Sequence, residues 1–114
     1  MGETLNIRHK ELVMGRWKKL SLLEQMANVG SEVNRALNWR GKGKKDLAEN
    51  AIERAIELLN LTVQTAEQPS SRKELLRAGE CLVDFFYGSN EYQSTEKMWR
   101  KYFDSFAFAL REKT

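Results

Sequence analysis

Apolar residues recur at helical spacing in four separate stretches of the chain, and no stretch alternates apolar and polar residues at period two. That pattern admits an all-α fold and leaves no material for a sheet. The single proline and the repeated Ala, Leu, Glu and Lys favour helix in the same direction. "SLLEQMANVGSEVNRALNW" opens on Ser21-x-x-Glu24, the pattern of a capping box. Leu22, Met26, Val29, Val33, Ala36 and Leu37 then mark one face. Gly30 interrupts it at a cost of up to ~1 kcal/mol relative to alanine, which a close helix–helix approach would explain. Gly41 and Gly43 are expected to end the helix in a left-handed conformation.

The second stretch, "DLAENAIERAIELLNLTVQ", begins at Asp46-x-x-Glu49, read as an acidic cap, with Ala48, Ile52, Ala55, Leu59 and Val63 inside. "EQPSS" breaks the chain. Ser71-x-x-Glu74 is expected to start the third helix, with Leu75, Leu76, Leu82, Val83 and Phe86 on one face and Gly88 as its stop. The fourth starts near Ser94 or Thr95 and carries Trp99, Tyr102, Phe103, Phe106, Ala107 and Leu110 on one stripe. Short connections make sequential helices antiparallel neighbours. The expected architecture is an up-down-up-down four-helix bundle over 21–114, preceded over 1–20 by an arm or a short helix, in a single domain.

Several chemistries lack their residues. His9 is the only histidine and Cys81 the only cysteine, so a tetrahedral zinc site would need carboxylates for the rest. There is no phosphate-binding G-x-x-x-x-G-K-[ST] loop, no G-x-S-x-G elbow and no Cys–His pair for a nucleophile. Glu49, Glu53 and Glu57 read as a solvated face, because a di-iron bundle would need Glu-x-x-His motifs. No catalytic residue, metal or cofactor is expected. A lone cysteine fits a cytoplasmic protein with an inert thiol, and no apolar run approaches the roughly 20 residues of a membrane span.

The stretch most like a site is "NWRGKGKKDLAEN". Arg40 and Lys42 fall at the C-terminus of a helix, where positive charge is favourable. Lys44 and Lys45 precede the N-terminus of the next helix, the unfavourable end for cations. In an antiparallel bundle the loop "YGSNEYQST" lies at the same pole. Trp39, Arg40, Lys42, Lys44 and Lys45 are therefore expected to face Asn90, Glu91 and Tyr92 as a ligand- or partner-binding group. The other basic cluster, "GRWKKL", lies roughly 28 Å away at the far end of the first helix, so a continuous duplex-binding stripe is not expected. Charge is nonetheless uneven. Residues 1–45 hold ten Lys/Arg against four Asp/Glu, and 46–114 hold nine against twelve, a split that can mark a surface for nucleic acid or an acidic partner. Phe108 sits nearly opposite Phe106 and Leu110 on the helical wheel and is a candidate interface residue.

"SLLEQMANVGSEVNRALNW", "AIERAIELLNLTV" and "YGSNEYQSTEKMWRKYFDSFAFA" together resemble a family of small, uncharacterised prokaryotic helical proteins. More loosely, the length and pattern are similar to HEPN-type bundles, which partner small nucleotidyltransferases or act as RNases. The RNase members carry an arginine, then four to six residues, then a histidine. Here His9 directly follows Arg8 and no later histidine exists, which argues against that activity. The reading that follows is a non-enzymatic helical protein acting through a protein partner or as a homodimer, such as a helper of a nucleotidyltransferase or an RNA-acting protein. The alternative is a nucleic-acid-binding module using the Trp39–Lys45 loop. A third reading, an enzyme built from Glu, Arg and Tyr, would require a pocket with paired, buried carboxylates.

Overall fold

The computed structural model describes residues 11–113. Of the arm or short helix expected over 1–20, residues 1–10, with Arg8 and His9, lie outside the described residues. Within them there are five helices and no strand: α1 over 11–18, α2 (Leu22–Gly41), α3 (Lys45–Thr65), α4 (Pro69–Tyr87) and α5 (Glu96–Lys113). The all-α expectation holds.

The helix starts show which local signals decided the boundaries. At α2 the capping box forms: Glu24 N donates to Ser21 Oγ at 3.1 Å and Ser21 N donates to Glu24 Oε1 at 3.0 Å. That second bond, foremost, lowers the Glu24 carboxyl below its ordinary range. At α5 the Thr95 hydroxyl accepts from Met98 N at 3.1 Å, so Thr95 caps the helix. Two expected caps are corrected. Lys44, not Asp46, is the N-cap of α3 and makes no side-chain cap bond; Asp46 lies inside the first turn, where its charge still suits the helix dipole. Gly43, at φ 72°, turns the chain early enough to start the helix ahead of Asp46. α4 begins at Pro69 with Gln68 as N-cap, ahead of the expected Ser71. Proline has no N–H to satisfy and its φ is already helical, so it takes the first position.

Packing centres on α2, which lies against both α3 and α5, while α3 also carries α4. Met26, Val29, Val33, Leu37, Ile52, Leu59, Leu82 and Phe103 are almost fully buried between them. Gly30 explains the closeness of α2 and α5: a Cβ built there would stand 2.8 Å from Phe103 Cβ. Further along, Arg100 on α5 donates to Asn38 Oδ1 at 2.9 Å and to Glu96 Oε1 at 2.7 Å, tying the C-terminal half of α2 to the start of α5. Glu32 on α2 pairs with Arg54 on α3 at 3.1 Å.

α1 joins the fold through Trp17. The sequence reading treats this tryptophan only as part of a basic cluster, yet it is 7% exposed. Its Nε1 donates to Thr62 Oγ1 at 3.0 Å, and its carbonyl accepts from Gln25 Nε2 at 2.8 Å. Val13 and Met14, one turn earlier, are partly buried, so α1 has its own apolar stripe.

Candidate binding cleft and basic pole

α4 and α5 follow one another in the chain but are not among the closely packed pairs. The reason lies in the connection over 88–95. Asp84, near the end of α4, accepts from Glu91 N at 2.9 Å and Tyr92 N at 3.0 Å with its two carboxylate oxygens. Asn90, at φ 58°, donates from Nδ2 to Ser94 O at 3.0 Å and accepts from Ser94 N at 2.9 Å. Asparagine tolerates this left-handed conformation better than most residues. The loop is thus a hydrogen-bonded spacer that sets α5 apart from α4.

The gap is a cleft of about 520 Å³. Ala78 and Cys81 form the α4 wall; Met98, Trp99 and Tyr102 form the α5 wall; Tyr92 and Ser94 close one end. Glu74, Arg77 and Lys101 are exposed residues on its margin. Burial pushes the Cys81 thiol above its ordinary range, with Asp84 and Glu80 adding to the effect against Arg77. It stays a neutral thiol and acts as a small apolar wall. Trp99 is 7% exposed, stacks on Phe103 with ring centroids 6.0 Å apart, and meets the edge of Tyr102. Two polar atoms in this wall, Trp99 Nε1 and Tyr102 Oη, are buried and have no hydrogen-bond partner. Burial, reinforced by the Glu74 carboxylate, pushes the Tyr102 hydroxyl up to about 12.

The residues expected to converge at the pole occupy two different places. Arg40 lies over the Phe85 ring at 4.8 Å and the Phe86 ring at 5.5 Å, and Lys42 lies over Trp39 at 5.4 Å. The contact of Arg40 with the end of α4 brings the α2–α3 loop and the α4–α5 loop toward the same end of the molecule. Arg40 and Lys45 line a smaller depression of about 280 Å³ with Phe86 and Tyr87, and Lys44 lies on a third, shallower one. Tyr92 instead closes the α4–α5 cleft, Asn90 is committed to Ser94, and the backbone of Glu91 to Asp84. Lys44 and Lys45 are exposed at the start of α3, and Phe108 is 59% exposed on α5.

Sequence reasoning missed the α4 wall of the cleft. The signal was present: Glu74, Arg77, Ala78 and Cys81 stand at i, i+3, i+4 and i+7, one helical face beside the stripe used for the core. The one carboxylate among the residues lining the cleft is that of Glu74, which is exposed. Among the described residues no group of three or more His, Cys, Asp or Glu is placed to hold a metal ion, and no helix is long and apolar enough to cross a membrane. Compared with protein-family models, with curated proteins and with solved structures, the chain has no match.

Proposed function

We propose that this chain is a non-enzymatic helical protein that acts through a protein partner or as a homodimer. The observation that carries this reading is the outer flank of α4. Leu76 is 50% exposed and Val83, two turns on, is 43% exposed. Together with Ile56 and Val63 of α3 they border a groove of about 460 Å³. Apolar side chains at this spacing, left uncovered along two helical turns, suit the side chains of an approaching helix. Exposed Phe108 supplies a second apolar contact for self-association. An up-down-up-down four-helix bundle of the four long helices, with α1 added, is part of this reading. Kinship with small prokaryotic helical proteins belongs to the same reading, as does the role of helper to a nucleotidyltransferase or an RNA-acting protein in the cytoplasm.

A tagged pull-down from native cells, compared with the Leu76→Glu/Val83→Glu variant, tests it. A stoichiometric protein lost with the variant supports the reading. Identical captures by both chains remove the α4 flank from it. For the homodimer, the assembly mass of Phe108→Glu is the corresponding measurement: a dimer that persists in this variant excludes Phe108 as its contact.

The nucleic-acid alternative rests on a separate observation. Arg40, Lys42, Lys44 and Lys45 are exposed within six positions beside Trp39, and none forms an ion pair among the described residues. Such a loop can grip a phosphate chain while an aromatic ring takes a base. Anisotropy of a labelled single-stranded oligonucleotide, titrated at several salt concentrations, decides it. Binding that weakens with salt and with Lys44→Ala/Lys45→Ala supports the alternative; salt-independent or absent binding excludes it.

A further inference from the structure

We propose that the groove between α3 and α4 seats a basic amphipathic helix of the partner, its apolar side chains over Leu76 and Val83 and its cations against Glu53 and Glu80. This rests on the protein-partner reading and names the chemistry of the partner.

The groove is apolar along its length and has a gap in its floor. Leu76, Val83 and Tyr87 stand at i, i+7 and i+11 on α4 and are 50%, 43% and 49% exposed, a stripe of roughly 16 Å. Ile56 and Val63, at i and i+7 on α3, form the facing bank. Gly79 lies between Leu76 and Val83 on the same face of α4. It has no side chain to fill the floor, and a Cβ built there would stand 3.4 Å from Leu59 Cδ2. A partner side chain can settle at that point. Apolar residues spaced by two turns on both banks suit the ridge of a third helix.

The banks are acidic. Glu80 and Asp84 line the groove from α4, and no lysine or arginine lines it. Glu49, Glu53 and Glu57 follow one another by turns along α3. Glu53 and Glu49 lie near enough to Tyr87 for their charge, after burial, to raise its hydroxyl. Asp84 is committed to two loop amides, but the glutamates form no ion pair among the described residues. The nearest cations by position stand beyond the ends: Arg72 and Lys73 near the start of α4, and Arg40 and Lys45 in the depression past Val83. Unpaired carboxylates beside an uncovered apolar groove attract a helix whose apolar face is flanked by cations and repel an acidic one. They also disfavour a second copy docked by the same flank, since a two-fold axis would bring like charges together.

The probe is a labelled amphipathic peptide of leucine and lysine, roughly 18 residues long, titrated with the full chain and followed by anisotropy. The controls are its twin with glutamate for lysine and a shuffled leucine–lysine peptide with no apolar face. The chain as a whole carries a charge of +3, so general attraction does not favour a cationic peptide. Saturable binding of the amphipathic lysine peptide alone is expected. Glu80→Lys should weaken it about three- to tenfold. Leu76→Ser/Val83→Ser should weaken it about tenfold or more, with the helical spectrum of the parent retained in both variants. Equal binding of the glutamate peptide overturns the basic partner, and equal binding of the shuffled peptide overturns the helix. Binding that survives both variants overturns the site, as does an absence of binding. The protein-partner reading itself fails on a different result, a pull-down that captures no stoichiometric protein.

Discussion

The indole of Trp17 donates to the hydroxyl of Thr62 across 45 positions of sequence, and that hydroxyl in turn donates to Leu58 O at 2.8 Å. A buried threonine inside α3 thereby does two things at once. It satisfies itself against its own helix, and it offers the lone pair that fixes α1. Thr62→Val keeps the shape of the side chain and removes the acceptor. The buried indole N–H then has no partner, which should cost about 1–3 kcal/mol in urea denaturation. Trp17→Ala should cost more, about 3–5 kcal/mol, since it also empties the space of a buried aromatic ring.

Two helical glycines should respond in opposite directions to alanine. At Gly30 the new Cβ would meet Phe103 Cβ at 2.8 Å, an atom next to the α5 backbone that cannot swing away. Separating α2 from α5 should cost about 1–3 kcal/mol, more than the gain in helix propensity returns. At Gly79 the nearest atom is Leu59 Cδ2 at 3.4 Å, an ordinary contact with the end of a flexible side chain. Gly79→Ala should therefore stabilise the protein by about 0.5–1 kcal/mol. Melting temperatures of the two variants, measured side by side, check the signs.

Asp84 holds the connection that separates α4 from α5. Asp84→Ala removes the acceptor of two backbone amides, Glu91 and Tyr92. Charge-assisted bonds of this kind contribute more than neutral ones, so a loss of about 1–3 kcal/mol is expected. Hydrogen exchange should quicken first at Glu91 and Tyr92, and the far ends of both helices should keep their protection.

Alkaline pH should destabilise the protein through Tyr102. Its hydroxyl ordinarily ionises near 10 and is pushed up to about 12 in the fold, first by burial and then by Glu74. Below 10 both folded and unfolded chains keep the proton, and the full stability is present. Between 10 and 12 the unfolded chain loses the proton while the folded one retains it, so stability falls as pH rises through this window. Tyr87 is shifted in the same direction, by burial and then by Glu53 and Glu49. Denaturant midpoints taken across the window should drop for the parent chain and drop less for Tyr102→Phe.

How much of this was legible in advance depends on the range of the force involved. The stripes that put Met26, Val33, Ile52, Leu59 and Phe103 in the core follow from spacing alone, because a helix repeats every 3.6 residues wherever it is placed. The Ser21–Glu24 box is equally local, and it forms. Asp46 and Ser71 have the right chemistry for caps, but Gly43 and Pro69 start their helices earlier, so neighbouring signals competed and the stronger backbone constraint prevailed. The group drawn from Trp39 to Tyr92 was inferred from topology. Topology brings two loops toward one end but does not say which cavity each side chain lines.

The sequence by itself determined that the chain is helical, where most of its helices lie and which stripes face inward, since each of these depends on residues within a few turns of one another. Only the tertiary structure decided that Trp17 is a core residue, that α2 and α5 touch at Gly30, and that α4 and α5 stand apart over a cleft with two unpartnered donors. Those outcomes depend on distances between residues far apart in the chain, and close packing admits only the arrangement in which every such distance is met together.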